Sequence, residues 1–283
     1  MADANAISDH WGQGDIYALI LETMKSAGID PKSATIEQLA PVDHFHARGF
    51  PATVELADAL PVREGDRIVD IGCGIGGPAR YLANRFRCQV DGIDITAPFV
   101  DAASKLSALV GMEETVKFRN GDGQQLPYSG EAFDGGYTQH VTMNVPDRDL
   151  FFAEAFRVLK PGAFFALTEH GLGEIGSPYH PVPWSKDGSG AYLMRPADTV
   201  AVLERTGFKD FEVTETGDKY LQGYKAAIAL AEKGEAPVFG SHILLGNLAP
   251  QIVRNAARNI EERRTQPVQI ICYKPLEPRG DQR

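Results

Sequence analysis

The sequence predicts an α/β fold, a doubly wound and mostly parallel sheet of seven strands with helices on both faces. Short apolar runs alternate with segments of helical periodicity, and a glycine-rich turn follows the first of these runs. The 283 residues suffice for one such domain with insertions. The strands are expected at 67–71, 88–93, 115–119, 133–138, 163–168, 211–214 and 266–273.

Helical periodicity predicts the elements around these strands. Segments 7–29 and 49–60 are expected to be helices, and we assign residues 1–60 to an N-terminal helical lid. Residues 61–283 form the ligand-binding domain, which carries insertions at 171–194 and 219–264. The last strand is expected to run antiparallel at the edge of the sheet. Further helices are expected at 77–86, 97–110, 147–159 and 196–206, with two more inside 219–264.

Composition excludes several classes of protein. The net charge of −10 repels phosphate backbones, so nucleic acid is not an expected partner. No run approaches the roughly 20 apolar residues that span a bilayer, and the N-terminus lacks a basic segment followed by an apolar one. The scattered cysteines, Cys73, Cys88 and Cys272, favour neither a disulfide framework nor a metal knuckle. We therefore expect a cytoplasmic protein without membrane partners.

The turn after the first strand carries an acidic residue beside its glycines. Gly72, Gly74 and Gly77 satisfy the G-x-G-x-x-G spacing that holds a pyrophosphate. Asp70 argues against that ligand, because a carboxylate a few Å from a pyrophosphate costs on the order of 1 kcal/mol in water and several times more when partly buried. A cationic ligand reverses the sign. S-adenosylmethionine carries a sulfonium and an ammonium group, so the sequence favours this cofactor over NAD.

Two further carboxylates follow the next two strands. Asp94 can accept hydrogen bonds from the ribose hydroxyls of an adenosine cofactor, although it could instead cap the helix that follows, as Thr96 could. Asp122 can accept from the adenine amino group while the amides of Gly123 and Gln124 donate to the ring, although the segment could also be an ordinary turn. The predicted cofactor contacts are Asp70, Gly72, Gly74, Asp94, Ile95, Asp122, Gly123 and Gln124, with Tyr17 from the lid.

The fourth strand is followed by candidate catalytic residues, His140 and Asn144. Ligands of open α/β sheets bind at such strand ends, where a neutral His140 could orient the acceptor or take its proton. The other interpretation is a histidine whose hydrogen bonds are satisfied within its loop.

Three further segments supply candidate acceptor contacts. His46 and Arg48 are predicted to line the acceptor site. His44 and His46 have the spacing of a metal-ligand pair, but no third ligand is evident and no metal is expected. Tyr179 and Trp184 could form an aromatic wall around a cationic acceptor, or could simply pack the loop onto the sheet.

The sequence resembles the class I S-adenosylmethionine-dependent methyltransferases over most of its length. Residues 70–77 look like the first motif of that family, Asp94 like its ribose acid and Asp122 like its adenine contact. Residues 157–162 look like the turn before its fifth strand. The resemblance implies a Rossmann-like methyltransferase fold in which Gly72 and Gly74 border the methionine moiety.

Four shorter motifs resemble the small-molecule branch that contains the sarcosine and dimethylglycine N-methyltransferases. They are Trp11–Tyr17, Asp43–Gly49, Gln139–Asn144 and Pro181–Trp184. This resemblance implies methyl transfer to a small-molecule acceptor and favours an amine, as in glycine betaine synthesis. The sequence has neither the basic cluster of phosphoethanolamine enzymes nor the thiol set of arsenite methyltransferases.

Other functions stay open from sequence alone. The chain could methylate carbon or oxygen of a small metabolite or natural product. A nicotinamide-dependent oxidoreductase would share the glycine turn and Asp94, and a non-catalytic cofactor-binding module would keep the cofactor residues without an acceptor site. The helical additions at 219–264 could support a homodimer.

Overall fold

The computed structural model describes residues 14–276 and contains a seven-stranded sheet of order β3-β2-β1-β4-β5-β7-β6. The strands β1 to β5 pair in parallel, while β7 runs antiparallel to both β5 and β6. The predicted doubly wound, mostly parallel α/β fold is therefore confirmed. The strands are β1 (Arg67–Ile71), β2 (Gln89–Asp94), β3 (Val116–Asn120), β4 (Phe133–Gln139), β5 (Leu159–Leu172), β6 (Lys209–Glu215) and β7 (Thr265–Tyr273).

The position of the last strand differs from the prediction. β7 lies between β5 and β6, and β6 forms the edge of the sheet. Burial accounts for this order, because Val268 and Ile270 in β7 are fully covered whereas most residues of β6 are exposed. A mostly polar strand is tolerated at an edge, where one side has no partner strand.

The helices begin and end near the predicted residues. Prolines in the first turn start several of them, as expected for a residue that lacks a backbone donor. The helices are α1 (Ile16–Ser26), α2 (Ile36–Asp43), α3 (Phe50–Ala59), α4 (Gly77–Phe86), α5 (Ala97–Leu109), α6 (Arg148–Val158), α7 (Pro196–Thr206), α8 (Gly217–Glu232) and α9 (Ala249–Glu261).

The N-terminal helices differ most from expectation. The segment predicted at 7–29 is helical from Ile16, where the side chain of Asp15 accepts a hydrogen bond from the backbone of Ala18; its first part lies outside the described residues. α2 was not predicted, because it is short and contains Pro41. Its capping box, Thr35 with Gln38, is a start signal that the sequence does contain.

Two apolar clusters hold the sheet between its helices. Phe152, Phe165 and Phe208 pack on the face covered by α6 and α7, and Leu56 and Leu82 pack on the face covered by α3 and α4. A third cluster attaches α1 to α5, so the N-terminal helices are anchored beside the carboxyl ends of β1 and β2.

Across residues 14–276, the helices are too short or too polar to cross a membrane.

Candidate active site

One large cavity of about 1340 Å³ opens at the carboxyl ends of the parallel strands. A typical pocket for a single small ligand has about 300–1000 Å³, so this cavity has room for two ligands. One half is lined by the glycine turn and the ends of β2 and β3, and the other half by α8, α9 and the segment that joins them. The two halves meet at the end of β4.

At the glycine turn, the backbone itself forms part of the cavity wall. Gly72 has φ +83°, and a Cβ added there would lie 2.2 Å from a methyl group of Val141. Gly74 has φ +53° and no atom within 4 Å of an added Cβ, so open space adjoins it. Both glycines line the cavity, and their contact with a cofactor stays a prediction, whereas Gly77 packs against the backbone of Asp43.

The structure contradicts the predicted contact of Asp70 with the cofactor. Successive side chains of a strand point to opposite faces, and here Ile71 lines the cavity whereas Asp70 points into the core. Its carboxylate is 2% exposed and accepts a hydrogen bond of 2.8 Å from Tyr137 Oη. Burial, opposed by that hydrogen bond, raises the pKa of Asp70 to about 7. The expected contact between a fixed Asp70 charge and the cofactor is therefore wrong.

Asp94 is the carboxylate that lies against the glycine turn. Its two oxygens accept hydrogen bonds of 2.8 Å each, one from Gly74 N and the other from Thr96 N. Burial raises the pKa of Asp94, although these backbone donors oppose the shift. Thr96 occupies the N-cap of α5 without a side-chain capping bond. Asp94 and Ile95 both line the cavity, and the ribose contact stays a prediction.

The predicted adenine segment lies beside Asp94. Asp122, Gly123 and Gln124 all line the cavity. The Asp122 carboxylate accepts a hydrogen bond of 2.8 Å from Gln124 N, which holds the turn. A Cβ added at Gly123 would lie 2.6 Å from the ring of Phe151, so a side chain would not fit at this position.

Tyr17 does not lie among the cavity-lining residues. Its ring lies 5.7 Å from Lys105 Nζ on α5, on the outer side of that helix, so the expected cofactor contact of Tyr17 is corrected. Trp11, which was assigned to the same lid, lies outside the described residues.

Histidines dominate the junction of the two halves. The rings of His46 and His140 stack at 5.7 Å, and His170 lies 5.4 Å from His140. His140 adopts φ +57° directly after β4, and its Nε2 lies 2.8 Å from Tyr220 Oη. Burial lowers the pKa of His46 to about 4 and that of His170 to about 3, and it lowers the pKa of His140 well below its usual value.

These neutral rings are better suited to orienting an acceptor than to holding its proton. Protonation of His140 would place a cation in a buried site beside two other histidines, which is the reason for its low pKa. His44 and His46 both contact the hydroxyl of Thr53, at 2.9 and 2.8 Å. Within residues 14–276, no group of three His, Cys, Asp or Glu side chains has the arrangement of a metal site.

Arg48 lines the cavity, but its charge is already engaged. The guanidinium forms two hydrogen bonds with the carboxylate of Glu55, of 3.0 and 2.5 Å, and lies 5.5 Å from the centre of the Tyr220 ring. The Nζ atom of Lys219 also lies 2.9 Å from Glu55.

The loop between β5 and α7 brings Trp184 into the cavity wall. Asn144 Nδ2 donates hydrogen bonds of 2.8 Å to the carbonyls of Trp184 and Gly190, so this predicted catalytic residue holds the loop. The Trp184 ring stacks on His170 at 4.8 Å.

Tyr179 lies on the outer side of this loop, which corrects its prediction as an acceptor contact. Its ring lies between Arg258 and Arg264, at 3.8 and 4.1 Å from their guanidinium carbons, and its hydroxyl donates to Glu262. It packs against α9, and the cavity wall does not include it.

The structure adds residues that the sequence analysis missed. Gln139, His170 and Tyr224 line the cavity, and Tyr220 holds His140. His170 was missed because β5 extends to Leu172, beyond its predicted end. Tyr220 and Tyr224 have the i, i+4 spacing that places two aromatic rings on one face of a helix, which is a signal the sequence contains.

Comparison with known proteins identifies a family model in the central part of the chain. Residues 69–167 match the model described as a methyltransferase domain. The chain is 30% identical to the methyltransferase phqN of Penicillium fellutanum, over 57% of this chain and 52% of that protein. It is 35% identical to the 27-O-demethylrifamycin SV methyltransferase of Amycolatopsis mediterranei, over 56% of this chain and 57% of that protein. The matches thus span about half the length of these relatives.

The fold is similar to that of a solved structure over almost its whole length. The geranyl diphosphate C-methyltransferase from Streptomyces coelicolor A3(2) superposes with a TM-score of 0.71 at 17% identity, covering 97% of this chain and 98% of that one. At this identity, the likeness shows the fold alone.

Proposed function

We propose that this chain, which contains a class I S-adenosylmethionine-dependent methyltransferase domain, transfers a methyl group to a small molecule held in the cavity. The observation that carries the proposal is the continuity of that cavity. It joins the glycine turn, Asp94 and Asp122 directly to His140 and Trp184. A cofactor and an acceptor would therefore meet at the end of β4.

The cofactor half fits S-adenosylmethionine better than a dinucleotide. Open space adjoins Gly74, and the carboxylates of Asp94 and Asp122 line the same half. Two carboxylates suit a ligand with hydroxyl, amino and cationic groups, whereas a dinucleotide would use Asp94 for its ribose and gives no role to Asp122. Asp122, rather than Asp70, is therefore the residue that disfavours a nicotinamide-dependent oxidoreductase.

The proposed role of the protein is to position the acceptor against the methyl group of the cofactor. When bound, S-adenosylmethionine would supply an electrophilic methyl group to an electron pair of the acceptor, and the electron pair of the broken carbon–sulfur bond would stay on sulfur. The protein aligns the acceptor through His140 and Trp184 and covers it with segment 45–51 and loop 173–194, while a proton lost by the acceptor leaves to solvent. Such alignment can supply up to about 7–11 kcal/mol of the barrier in ideal cases.

The acceptor atom is a separate question. The sequence favoured an amine, and the Trp184 and Tyr224 rings in the cavity wall offer a cationic amine cation–π contacts. Among the described residues, the buried part of the acceptor half has no carboxylate to pair with an ammonium group. Oxygen and carbon acceptors therefore stand beside nitrogen in the proposal.

A search for the product tests methyl transfer. The protein would be incubated with methyl-labelled S-adenosylmethionine and a metabolite extract, and labelled products would be sought by mass spectrometry. We expect a labelled small molecule that disappears with Asp94→Ala and persists with Asp101→Ala, a matched change at an exposed carboxylate that pairs with Lys105 on α5. A protein that binds S-adenosylhomocysteine but labels nothing in any extract would contradict transfer and favour a cofactor-binding module.

A further inference from the structure

We propose that the acceptor is an uncharged, largely apolar molecule whose hydroxyl or carbonyl group is recognised by Gln139, His170 and Trp184. This inference rests on the proposed function and adds the chemical class of the acceptor. Three features of the acceptor half support it: unpartnered neutral polar groups at its inner end, charges that are already paired or lie at the rim, and an apolar wall made by two helices.

The inner end of the acceptor half carries buried polar atoms without hydrogen-bond partners among the described residues. They are both side-chain amide atoms of Gln139, Nδ1 of His170 and Nε1 of Trp184. The three side chains line the cavity and are 8%, 1% and 2% exposed. Buried polar groups are normally paired, because an unmet hydrogen bond in a desolvated site costs free energy. A ligand hydroxyl would pair with donors and acceptors among these atoms, whereas a ligand carbonyl would pair only with the donors.

All three of these side chains are neutral. A tryptophan and an amide carry no charge, and burial lowers the pKa of His170 to about 3, so the ring is uncharged at neutral pH. Recognition by neutral donors and acceptors fits a hydroxyl or carbonyl oxygen. A phosphate or an ammonium group would leave a charge unpaired in a buried site, which is costly.

Charged side chains in this half do not offset that cost. The guanidinium of Arg48 is held by Glu55, and its charge is therefore already balanced. Glu37 and Arg254 also line the cavity but lie exposed at its rim, where water competes for them.

The outer wall of the acceptor half is apolar. On α8, Ala227, Ile228 and Ala231 follow the i, i+1, i+4 pattern of a single helical face, and all three line the cavity. On α9, which packs against α8, Ile252 and Val253 also line the cavity. An apolar body placed against these helices would cover apolar surface that faces the cavity, which favours binding.

A matched series of ligands tests the proposed acceptor class. Geraniol, geranylamine and geranyl diphosphate share one apolar chain and differ in the charge of the terminal group. Each would be titrated calorimetrically into the wild-type protein saturated with S-adenosylhomocysteine. We expect geraniol to bind at least about 10-fold more tightly than either charged compound, because only its hydroxyl matches neutral partners.

Two variants locate the binding site. His170→Phe keeps an aromatic ring on Trp184 but removes both ring nitrogens, Nδ1 and the Nε2 that lies 3.4 Å from Tyr224 Oη. We expect geraniol to bind about 3- to 10-fold more weakly. Ala227→Trp fills the apolar wall and should weaken geraniol binding by at least about 10-fold. Ala226→Trp is the matched control, since its neighbouring position on the same exposed helix does not line the cavity. The affinity for S-adenosylhomocysteine should stay the same in all three variants.

The outcomes separate this inference from the proposed function. Tighter binding of the amine or the diphosphate, absence of geraniol binding, or equal effects of the two tryptophan substitutions would overturn the proposed acceptor class while S-adenosylhomocysteine still binds. Failure of the wild-type protein to bind S-adenosylhomocysteine would overturn the proposed function, and the acceptor class with it.

Discussion

Asp70 is a buried acid whose charge depends on pH within the physiological range. Burial raises its pKa from the ordinary value of 3.8 to about 7, even though Tyr137 donates a hydrogen bond to it. Between these two values the folded protein binds more protons than the unfolded chain, so the stability that this group contributes is complete below about pH 4 and is lost as the pH rises through 7.

Replacing Asp70 by Asn should therefore change how stability depends on pH. We expect the free energy of unfolding of Asp70→Asn, relative to wild type, to increase by on the order of 2–3 kcal/mol between pH 5 and pH 8, because the variant lacks the titrating group. Urea unfolding at both pH values measures this. Asp134→Asn is the control: burial alone would raise the pKa of Asp134, but Lys160 and the backbone hold it below its usual value, so its ionisation adds no such change above pH 5. Identical differences at the two pH values for Asp70→Asn would contradict the burial of a neutral acid.

His46 should have the opposite dependence on pH. Its pKa of about 4 in the folded protein lies below the ordinary value of 6.5, so stability is lost as the pH falls from 6.5 towards 4. We expect His46→Asn to reduce the loss of unfolding free energy between pH 7.5 and pH 5 by about 2 kcal/mol. His242→Asn serves as a comparison and should have a smaller effect, because burial lowers the pKa of His242 less than that of His46. An unchanged acid sensitivity in His46→Asn would show that the His46 ring is not held neutral.

Among the larger elements, the loop between β5 and α7 is held in place by two asparagine side chains that contact its backbone. Asn144 holds it at Trp184 and Gly190, and Asn259 on α9 holds it at Tyr179. Asn259 is fully buried, accepts a hydrogen bond of 2.7 Å from Tyr179 N and donates one of 3.0 Å to Tyr179 O. The amide thus pairs both backbone groups of one loop residue.

Removing that amide should loosen the loop. We expect Asn259→Ala to increase the rate of tryptic cleavage after the exposed Lys186 by about 10-fold, because an unpaired buried backbone group costs about 1–3 kcal/mol. The cleavage site is read by mass spectrometry. Tyr179→Phe, which keeps the ring between Arg258 and Arg264, should be cleaved at nearly the wild-type rate. Equal cleavage of wild type and Asn259→Ala would show that this contact does not hold the loop.

At the scale of the whole molecule, the sequence contained the order of strands and helices but not every spatial relation between them. Alternation of apolar runs and helical segments located β1 to β5, whereas the insertion of β7 between β5 and β6 is a pairing that the order of the strands along the chain does not determine. Some cavity residues could likewise be predicted from the sequence, and others could not. Three cavity residues follow consecutive strands and were predictable, because ligands of open α/β sheets bind at the carboxyl ends of the strands: Gly74, Asp94 and Asp122. The face to which Asp70 points depends instead on the exact register of β1.

We propose that the half of the cavity at Gly74, Asp94 and Asp122 binds an S-adenosyl cofactor. Isothermal titration of the wild-type protein with S-adenosylhomocysteine and with NADH tests it most directly, with Asp122→Ala as the site variant. We expect S-adenosylhomocysteine to bind at least about 100-fold more tightly than NADH, a difference of about 2.7 kcal/mol, and Asp122→Ala to weaken it by about 10-fold or more. Tight binding of NADH with no binding of S-adenosylhomocysteine would contradict the claim.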